Sequence, residues 1–219
     1  MATLDPSEIM FTPFEPKTKN RYVMYIEGIP AYLIKTASRP QITFEEIVLD
    51  HINVKRFVKG KGHIKNMIFE GYGIQIRPVT PSDLSTLRRW RNSPDIGQQM
   101  VDTSHITPKK QRLWYERIIN SVEEAHWVVW CKGIRAGYMN LKGNESVCSQ
   151  NSLDGGLYVG NSKVKHGLLG YAIALMQLDI AFKFLFTMKY ETSFRESNIS
   201  ASRFNKQLGY REISRKDGF

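Results

Sequence analysis

Two glycines at the start of an apolar stretch form the pattern in this sequence that most clearly suggests chemistry. Gly167 and Gly170 follow the strand-like run Leu157-Tyr158-Val159 and open a long apolar segment that predicts a helix. Glycine lets the backbone approach a ligand closely, and the N–H groups at the start of a helix attract anions. This order predicts a site for an anionic nucleotide tail. The alternative interpretation is that these glycines only end a strand and start a helix.

Residues nearer the C-terminus make the pattern more specific. Asn198 precedes a helical segment, Ala201 follows three positions later, and Gly209-Tyr210 comes after that helix. With Gly167–Ala172 in the place of an Arg/Gln-x-x-Gly-x-Gly/Ala loop, residues 69–219 resemble the GNAT superfamily of acetyl-CoA-dependent N-acetyltransferases, although Gly167 replaces the usual Arg or Gln. The resemblance implies acetyl-CoA as the acyl donor, with the pantetheine arm along the strand and the pyrophosphate on the loop. The residues it assigns to the donor are Leu157, Tyr158, Val159, Gly167, Leu168, Leu169, Gly170, Tyr171, Ala172 and Asn198.

Acyl transfer to an amine requires a group that removes the ammonium proton. Asp154 lies two residues before Gly156, on the strand expected to enter the donor cleft, where many GNAT enzymes carry a Glu. By this resemblance Asp154 is the candidate general base, acting through a water molecule because Asp is one methylene shorter than Glu. The alternative is a solvated aspartate in a loop, since Ser152 and Gly155-Gly156 are typical turn residues.

The leaving thiolate also needs stabilisation, and here the sequence departs from the family pattern. The family usually has a Tyr seven residues after the Asn at the helix start, and Asn205 stands at that position. An amide cannot donate a proton as a phenol can. Three alternatives stay open: the thiolate leaves unassisted, Tyr171 or Tyr210 replaces the missing phenol, or the protein binds CoA without catalysing transfer.

A third set of residues is expected on the acceptor side. The opening of the GNAT-like segment most resembles the branch that acetylates amino groups of nucleotide-linked sugars, which shares a Trp-Arg-Asn run. The resemblance therefore implies a primary amine of an amino sugar nucleotide as the acceptor. Trp and Met offer apolar surfaces to a sugar, Arg pairs well with phosphate, and ordinary packing is the alternative for the two Trp residues. The expected acceptor-side residues are Trp90, Arg91, Asn92, Met100 and Trp114.

Composition restricts the class of protein. Hydrophobic residues make up 42% of the 219 residues, enough for a core, and no apolar run approaches the ~20 residues of a membrane span. The N-terminus lacks the features of a signal peptide, and Cys131 and Cys148 form neither a disulfide framework nor a metal-ligand spacing, so we expect a cytoplasmic protein without a metal. The net charge of +10 would suit nucleic acid, but the basic residues are dispersed and no groove-binding motif is present. Small polyanions such as CoA and a sugar nucleotide are the preferred partners.

The sequence changes character near residue 66. Before it, short β-runs are broken by Gly and Pro, and the stretches IEGIPAYLIKTASRP and LDHINVKRFVKGKG resemble the N-terminal part of contractile-phage tail tube proteins. We expect a β-rich segment in 1–66 that need not fold independently, and an acetyltransferase domain in 67–219 that lacks its last strand. The two parts are either fused neighbouring reading frames or a natural two-domain protein. The alternative to an enzyme is a virion structural protein that joins a phage tail through residues 1–66.

Hydrophobic periodicity in the second part predicts the order of its elements. Strands are expected at 73–78, 127–131, 135–142, 153–159 and 190–194, and helices at 81–92, 108–121, 168–186 and 199–208. Helices therefore interrupt a largely antiparallel sheet. This order predicts a mixed α/β (α+β) architecture of the GNAT type, with a central sheet flanked by helices and a short β-rich segment before it.

Overall fold

The computed structural model describes residues 63–148, 151–165, 167–185 and 187–213, together with the backbone of three short strands nearer the N-terminus. These are β1 (Pro16–Thr18), β2 (Arg21–Val23) and β3 (Leu33–Lys35), which pair antiparallel in that order. The rest of the segment that resembles a tail tube protein lies outside the described residues.

A largely antiparallel sheet organises the second part of the chain. Its strands are β4 (Phe69–Gly71), β5 (Ile74–Pro78), β6 (Glu124–Cys131), β7 (Ile134–Lys142), β8 (Ser152–Asp154), β9 (Leu157–Val159) and β10 (Lys189–Glu191). The order across the sheet is β10-β8-β7-β6-β5-β4, and β9 also pairs with β7. Among these strands β10 and β8 are parallel to each other, whereas the other pairs are antiparallel.

Helices cover both faces of this sheet. They are α1 (Leu84–Arg91), α2 (Pro94–Gly97), α3 (Pro108–Asn120), α4 (Leu169–Asp179) and α5 (Ile199–Gln207). α4 is buried along most of its length and packs with Met139 and Leu141 of β7 in the larger apolar cluster. On the opposite face, α1 and α2 pack on Val128 of β6 in a smaller cluster, joined by the partly buried Trp114 of α3.

Two tight turns set the register of the central strands. Tyr72-Gly73 connects β4 to β5 with φ values of 56° and 72°, and Lys132-Gly133 connects β6 to β7 with φ values of 50° and 76°. Positive φ at both central positions is typical of a type I′ turn, whose twist matches that of the strands it joins. Lys132-Gly133 lies between the strands predicted at 127–131 and 135–142, which the structure shows as β6 and β7.

Local capping defines the ends of α3 and α5. The Thr107 side chain accepts a hydrogen bond from the Lys110 N–H at 3.2 Å, and the Asn198 side chain accepts one from the Ala201 N–H at 2.9 Å. Gly209, with φ of 84°, follows the end of α5. Asn198 is therefore the N-cap, and Gly209 provides the left-handed exit, as their residue types indicate.

The predicted fold class is confirmed, but several elements differ from their predicted limits. The strand expected at 153–159 is wrong as a single strand, because Gly155 and Gly156 divide it into β8 and β9. The strand expected at 190–194 ends at Glu191. The long apolar helix ends at Asp179 and continues as a π-helical turn, Ile180–Phe184, closed by the Leu185 N–H to the Ile180 carbonyl at 2.9 Å. β4 was not predicted.

Residues just before Met67 belong to the packed unit. Ile64 is 1% exposed within the larger apolar cluster. The Lys65 ammonium donates hydrogen bonds to the carbonyls of Ile119 and Ser121 at 2.7 and 2.6 Å, which attaches it to the end of α3. The packed unit therefore includes residues that the sequence analysis placed before the domain boundary.

Close contact between a glycine and an indole fixes α1 on the sheet. A Cβ atom at Gly160, directly after β9, would lie 2.2 Å from Cδ2 of Trp90. Trp90 is 8% exposed, so its ring fills the space that a side chain at 160 would need. The predicted acceptor-side Trp90 thus packs between α1 and the sheet.

Candidate active site

The sheet splits at the point where β8 gives way to β9. β8 pairs in parallel with β10, and the last link is the Gly155 N–H, which donates to the Glu191 carbonyl at 3.3 Å. β9, like β8, pairs with β7, where Leu157 lies opposite Met139, but it does not pair with β10. Within the ranges that the structure describes, no strand pairs with the other edge of β9. A wedge therefore opens between β9 and the chain that follows β10.

Two polar side chains hold the glycines at this split. The Asn140 side-chain oxygen accepts from the Gly156 N–H at 2.9 Å, and the Asn140 N–H donates to the Gly156 carbonyl at 3.1 Å. From α4, the Gln177 amide nitrogen donates to the Asn140 carbonyl at 2.7 Å. Gly155 has no room for a side chain, because a Cβ there would lie 2.3 Å from the Asn140 carbonyl oxygen and 2.4 Å from the Tyr190 hydroxyl.

A cavity of about 740 Å³ occupies the split and reaches both faces of the sheet. Ala174 and Phe204 border it on the α4 face, whereas Trp114 and Tyr138 border it on the face covered by α1–α3. The predicted site residues that border the cavity are Arg91, Met100, Trp114, Asp154, Leu157, Tyr158, Asn198 and Asn205. The predicted residues that are not in its wall are Trp90, Asn92, Val159, Gly167, Leu168, Leu169, Gly170, Tyr171 and Ala172.

The glycine loop lies at the N-terminus of α4, whose Ala174 reaches the cavity. The first backbone bond across this helix start is made by the Ala172 N–H to the Leu168 carbonyl at 2.9 Å, and no described side chain caps it. A Cβ at Gly167 would meet nothing within 4 Å, whereas one at Gly170 would lie 3.5 Å from the Phe204 ring. Gly167 therefore faces open space in front of the helix N-terminus, where the helix dipole favours an anion.

Asn198 and Asn205 connect α5 to the cavity. Besides capping α5, Asn198 donates from its amide to the Gln99 carbonyl at 3.3 Å, which ties the helix to the loop after α2. Asn205 borders the cavity, and its backbone carbonyl accepts a hydrogen bond from the Tyr210 N–H at 3.0 Å. Tyr171, one candidate to replace the phenol missing at Asn205, donates a hydrogen bond from its hydroxyl to the Gln207 side chain.

The Trp-Arg-Asn run divides between the cavity and the fold. Arg91 borders the cavity and donates to the Asp102 carbonyl. Asn92 instead holds the following loop, since its side chain accepts from the Ile106 N–H and donates to the Ile106 carbonyl, both at 2.9 Å. Trp90, which is buried, and Asn92 support one wall of the cavity without lining it.

Asp154 ends β8 on the face covered by α1–α3, opposite Lys142 of β7. Its side chain is exposed and borders the cavity. Desolvation by the surrounding protein nevertheless raises the pKa of Asp154. Lys142 opposes that rise, whereas Glu124 and Glu191 add to it.

A buried chain of hydrogen bonds behind the cavity was missed by sequence reasoning. The His126 Nε2–H donates to the Glu124 carboxylate at 2.7 Å, and His126 Nδ1 lies 2.5 Å from the Tyr138 hydroxyl. The Tyr138 ring stacks on Tyr158 with centroids 5.2 Å apart, and Trp114 meets the His126 ring edge-on at 5.4 Å. Glu124 and His126 are two residues apart on β6, so the sequence could have predicted that they lie on one face of the sheet. Their link to Tyr138 could not be predicted, because it depends on the register of β6 with β7.

The charges in this chain follow from its surroundings. The hydrogen bond from His126, helped by Arg117, lowers the pKa of Glu124 to about 2 despite its burial. Burial lowers the pKa of His126, against the opposing effect of Glu124. At neutral pH, Glu124 is therefore a carboxylate and His126 a neutral imidazole, so that Nδ1 accepts a hydrogen bond from the Tyr138 hydroxyl.

The described residues contain no cluster of three or more His, Cys, Asp or Glu side chains that could hold a metal ion. None of the helices in the described ranges is long and apolar enough to cross a membrane.

No family model and no curated protein sequence matches this chain, but solved structures match its fold. The aminoglycoside acetyltransferase AAC(6')-Ib in complex with coenzyme A has a TM-score of 0.55 and 18% identity, covering 66% of this chain and 90% of its own. Spermidine N-acetyltransferase from Vibrio cholerae, in complex with CoA and spermine, has a TM-score of 0.58 and 17% identity, covering 65% and 83%. The Campylobacter jejuni N-acetyltransferase PseH, in complex with acetyl coenzyme A, has a TM-score of 0.51 and 14% identity, covering 66% and 93%. About two thirds of this chain therefore has the fold of these acetyltransferases.

The Glu124–His126 pair predicts how stability depends on acid. Because the folded pKa of Glu124 lies near 2 and its ordinary value is 4.5, the stability it contributes is complete above pH 4.5 and is lost as pH falls towards 2. His126, with its lowered pKa, adds a loss that begins below its ordinary value of 6.5. We expect Glu124→Gln to be less stable at pH 7 and to lose less stability than the wild type between pH 4.5 and 2, measured by urea unfolding at a series of pH values.

Glu123→Gln is the matched control. Glu123 is the exposed neighbour of Glu124, so this substitution removes the same charge without affecting the buried bonds to His126 and Arg117. It should follow the wild-type curve. A Glu124→Gln protein with the wild-type slope in acid would remove this pair as a source of acid sensitivity.

Proposed function

We propose that this protein is an N-acetyltransferase that moves an acetyl group from acetyl-CoA to a primary amine. The observation that carries the proposal is the split at Gly155-Gly156, which gives one cavity access to both faces of the sheet. A thioester lying in the split on one face can then be attacked by an amine bound on the other face. Solved structures with this fold contain coenzyme A or acetyl coenzyme A.

The donor fits the α4 side of the split. The edge of β9 that faces away from β7 offers the backbone N–H and carbonyl groups of Leu157 and Val159, with which the amides of a pantetheine arm can pair as an added strand would, whereas those of Tyr158 face β7. The pyrophosphate would then lie at Gly167–Ala172, where the N-terminus of α4 supplies N–H groups and a favourable dipole. This order directs the thioester towards Gly155 and Gly156.

The acceptor we favour is an amino sugar nucleotide. Three cationic side chains, Arg91, Lys110 and Lys142, border the acceptor side of the cavity and suit the phosphates of such a molecule. Trp114 and Met100 supply apolar surface for a sugar ring. A polycationic amine would meet these three cations at close range, which disfavours it.

We assign to Asp154 the roles of drawing in the amine and accepting its proton. Its carboxylate borders the cavity beside the split. The raised pKa of Asp154 lies closer to the pKa of the ammonium group that it would deprotonate, which makes the carboxylate a stronger base. Trp90 and Asn92 support this side indirectly, by holding α1 and the loop after it.

The direct experiment incubates the full chain with acetyl-CoA and three amines: a nucleotide-linked amino sugar, kanamycin and spermine. Thiol release and the mass of the acetylated amine are measured. We expect the highest kcat/KM for the amino sugar nucleotide. A preference for either polycation would overturn the acceptor class, and no thiol release with any amine, although acetyl-CoA binds, would favour a CoA-binding protein without transfer, as Asn205 suggests.

The donor loop generates a binding prediction. Acetyl-CoA should raise the Tm of the wild type because it binds the folded state alone. Gly167→Glu should abolish most of that rise, since the new carboxylate would stand in the open space before α4 and repel the pyrophosphate. The isosteric Gly167→Gln is the neutral control and should keep the rise. Equal behaviour of the two variants would place the pyrophosphate elsewhere.

The acceptor side generates a kinetic prediction. Asp154→Asn should lower kcat by roughly 10²–10⁴-fold with little change in acetyl-CoA affinity, because an amide cannot accept the ammonium proton. Its residual activity should increase with pH as more free amine forms. In the wild type, kcat should fall as pH drops through a pKa above that of a free Asp.

Asp95→Asn, an exposed change on α2, serves as the control and should have wild-type kinetics. Wild-type kcat at neutral pH in Asp154→Asn would exclude Asp154 as the base.

A further inference from the structure

The Tyr190 hydroxyl is buried without a hydrogen-bond partner. Tyr190 is 3% exposed, and among the described residues its hydroxyl is the buried side-chain polar atom that makes no hydrogen bond. Because an unpaired buried hydroxyl costs free energy, such an atom calls for a partner from outside the chain.

This hydroxyl lies at the end of the split on the donor face. Tyr190 pairs with Leu153 in the sheet, so both side chains are on the α4 face, and Tyr190 borders the cavity. A Cβ at Gly155 would be 2.4 Å from its oxygen, which places the hydroxyl against the first glycine of the split.

The polar groups around this hydroxyl already have partners. The Gly155 N–H donates to the Glu191 carbonyl, and the Gln177 amide nitrogen donates to the carbonyls of Asn140 and Gly156 at 2.7 and 3.3 Å. A ligand that reaches Gly155 can therefore accept a hydrogen bond from the Tyr190 hydroxyl.

Tyr190 stays protonated at working pH. Burial raises the pKa of its phenol well above the ordinary value, and the neighbouring Tyr210 and Asp154 raise it further. A phenol with so high a pKa donates a hydrogen bond to a thiolate without giving up its proton, since a free thiol has a pKa of about 8.5.

We propose that the Tyr190 hydroxyl donates a hydrogen bond to the sulfur of the acyl donor, the role for which Asn205 lacks a phenol. This inference rests on the proposed function, which directs the thioester to Gly155. Tyr171 is less suited, because its hydroxyl is bound to Gln207.

The ammonium gives its first proton to Asp154, the amine nitrogen bonds to the thioester carbon, and the C–S bond breaks with its electron pair going to sulfur. Tyr190 keeps its proton and stabilises the negative sulfur. The second proton of the attacking nitrogen passes through water to the thiolate, which leaves as the free thiol of CoA.

Binding of CoA and of desulfo-CoA, which lacks the sulfur, tests this role without an acceptor. The wild type should prefer CoA, and the preference should increase from pH 7 to pH 9 as the thiol ionises. Tyr190→Phe should bind desulfo-CoA as the wild type does but bind CoA about tenfold more weakly, with no increase towards pH 9. Its kcat should fall roughly tenfold or more.

Thermal unfolding separates this role from a structural one. Removing a hydroxyl without a partner should leave the Tm of Tyr190→Phe unchanged or higher. Tyr72→Phe is the matched control: its buried hydroxyl donates to Asp179, so its Tm should fall while the preference for CoA is kept.

Each other outcome decides against the inference. A Tyr190→Phe protein that keeps the preference for CoA, or one whose Tm falls as in Tyr72→Phe, overturns it while leaving the proposed function intact. A wild type that binds neither ligand overturns the proposed function as well.

Discussion

The side chain of Asn140 substitutes for backbone in the ladder between β7 and its neighbour. It accepts from the Gly156 N–H, while the Asn140 carbonyl accepts from Gln177 of α4, and β8 and β9 keep one register with β7 on either side of the glycines. This arrangement requires a residue without a Cβ at 155, because the Asn140 carbonyl and the Tyr190 hydroxyl already occupy that space. The separation of β9 from β10, and with it the cavity, depends on this one set of hydrogen bonds.

The split also places different chemistry on the two faces of the sheet. On the α4 face, the unpaired edge of β9 and the Tyr190 hydroxyl offer neutral hydrogen-bonding groups. On the other face, Asp154 and the Glu124–His126–Tyr138 chain supply charge, aromatic surface and titratable groups. Because a sheet is only one residue thick, groups from both faces come within reach of the same ligand atom at the split. Under the proposed function, two reactants would meet there while each is held by its own set of side chains.

Local signals in the sequence predicted the elements well, and the split poorly. Asn198 and Gly209 act within one helix, so their residue types alone indicated the ends of α5. Gly155-Gly156 was readable as a turn or as part of a strand, and the choice depends on Asn140, which is far away along the chain. Gln177 gave no signal beyond being a polar residue in an apolar helix. Residue type also failed to distinguish the two Trp residues, since Trp114 lines the cavity and Trp90 packs on Gly160.

The contact between Trp90 and Gly160 has a consequence for how this protein can diverge. The indole and the bare backbone share one volume, since a Cβ at 160 would fall 2.2 Å from the ring. Positions 90 and 160 are therefore expected to covary, with any side chain at 160 accompanied by a smaller residue than Trp at 90. Since α1 also carries Arg91, such a paired exchange would shift a cavity-lining cation and change the ligand preference of a descendant without altering any residue that touches the ligand.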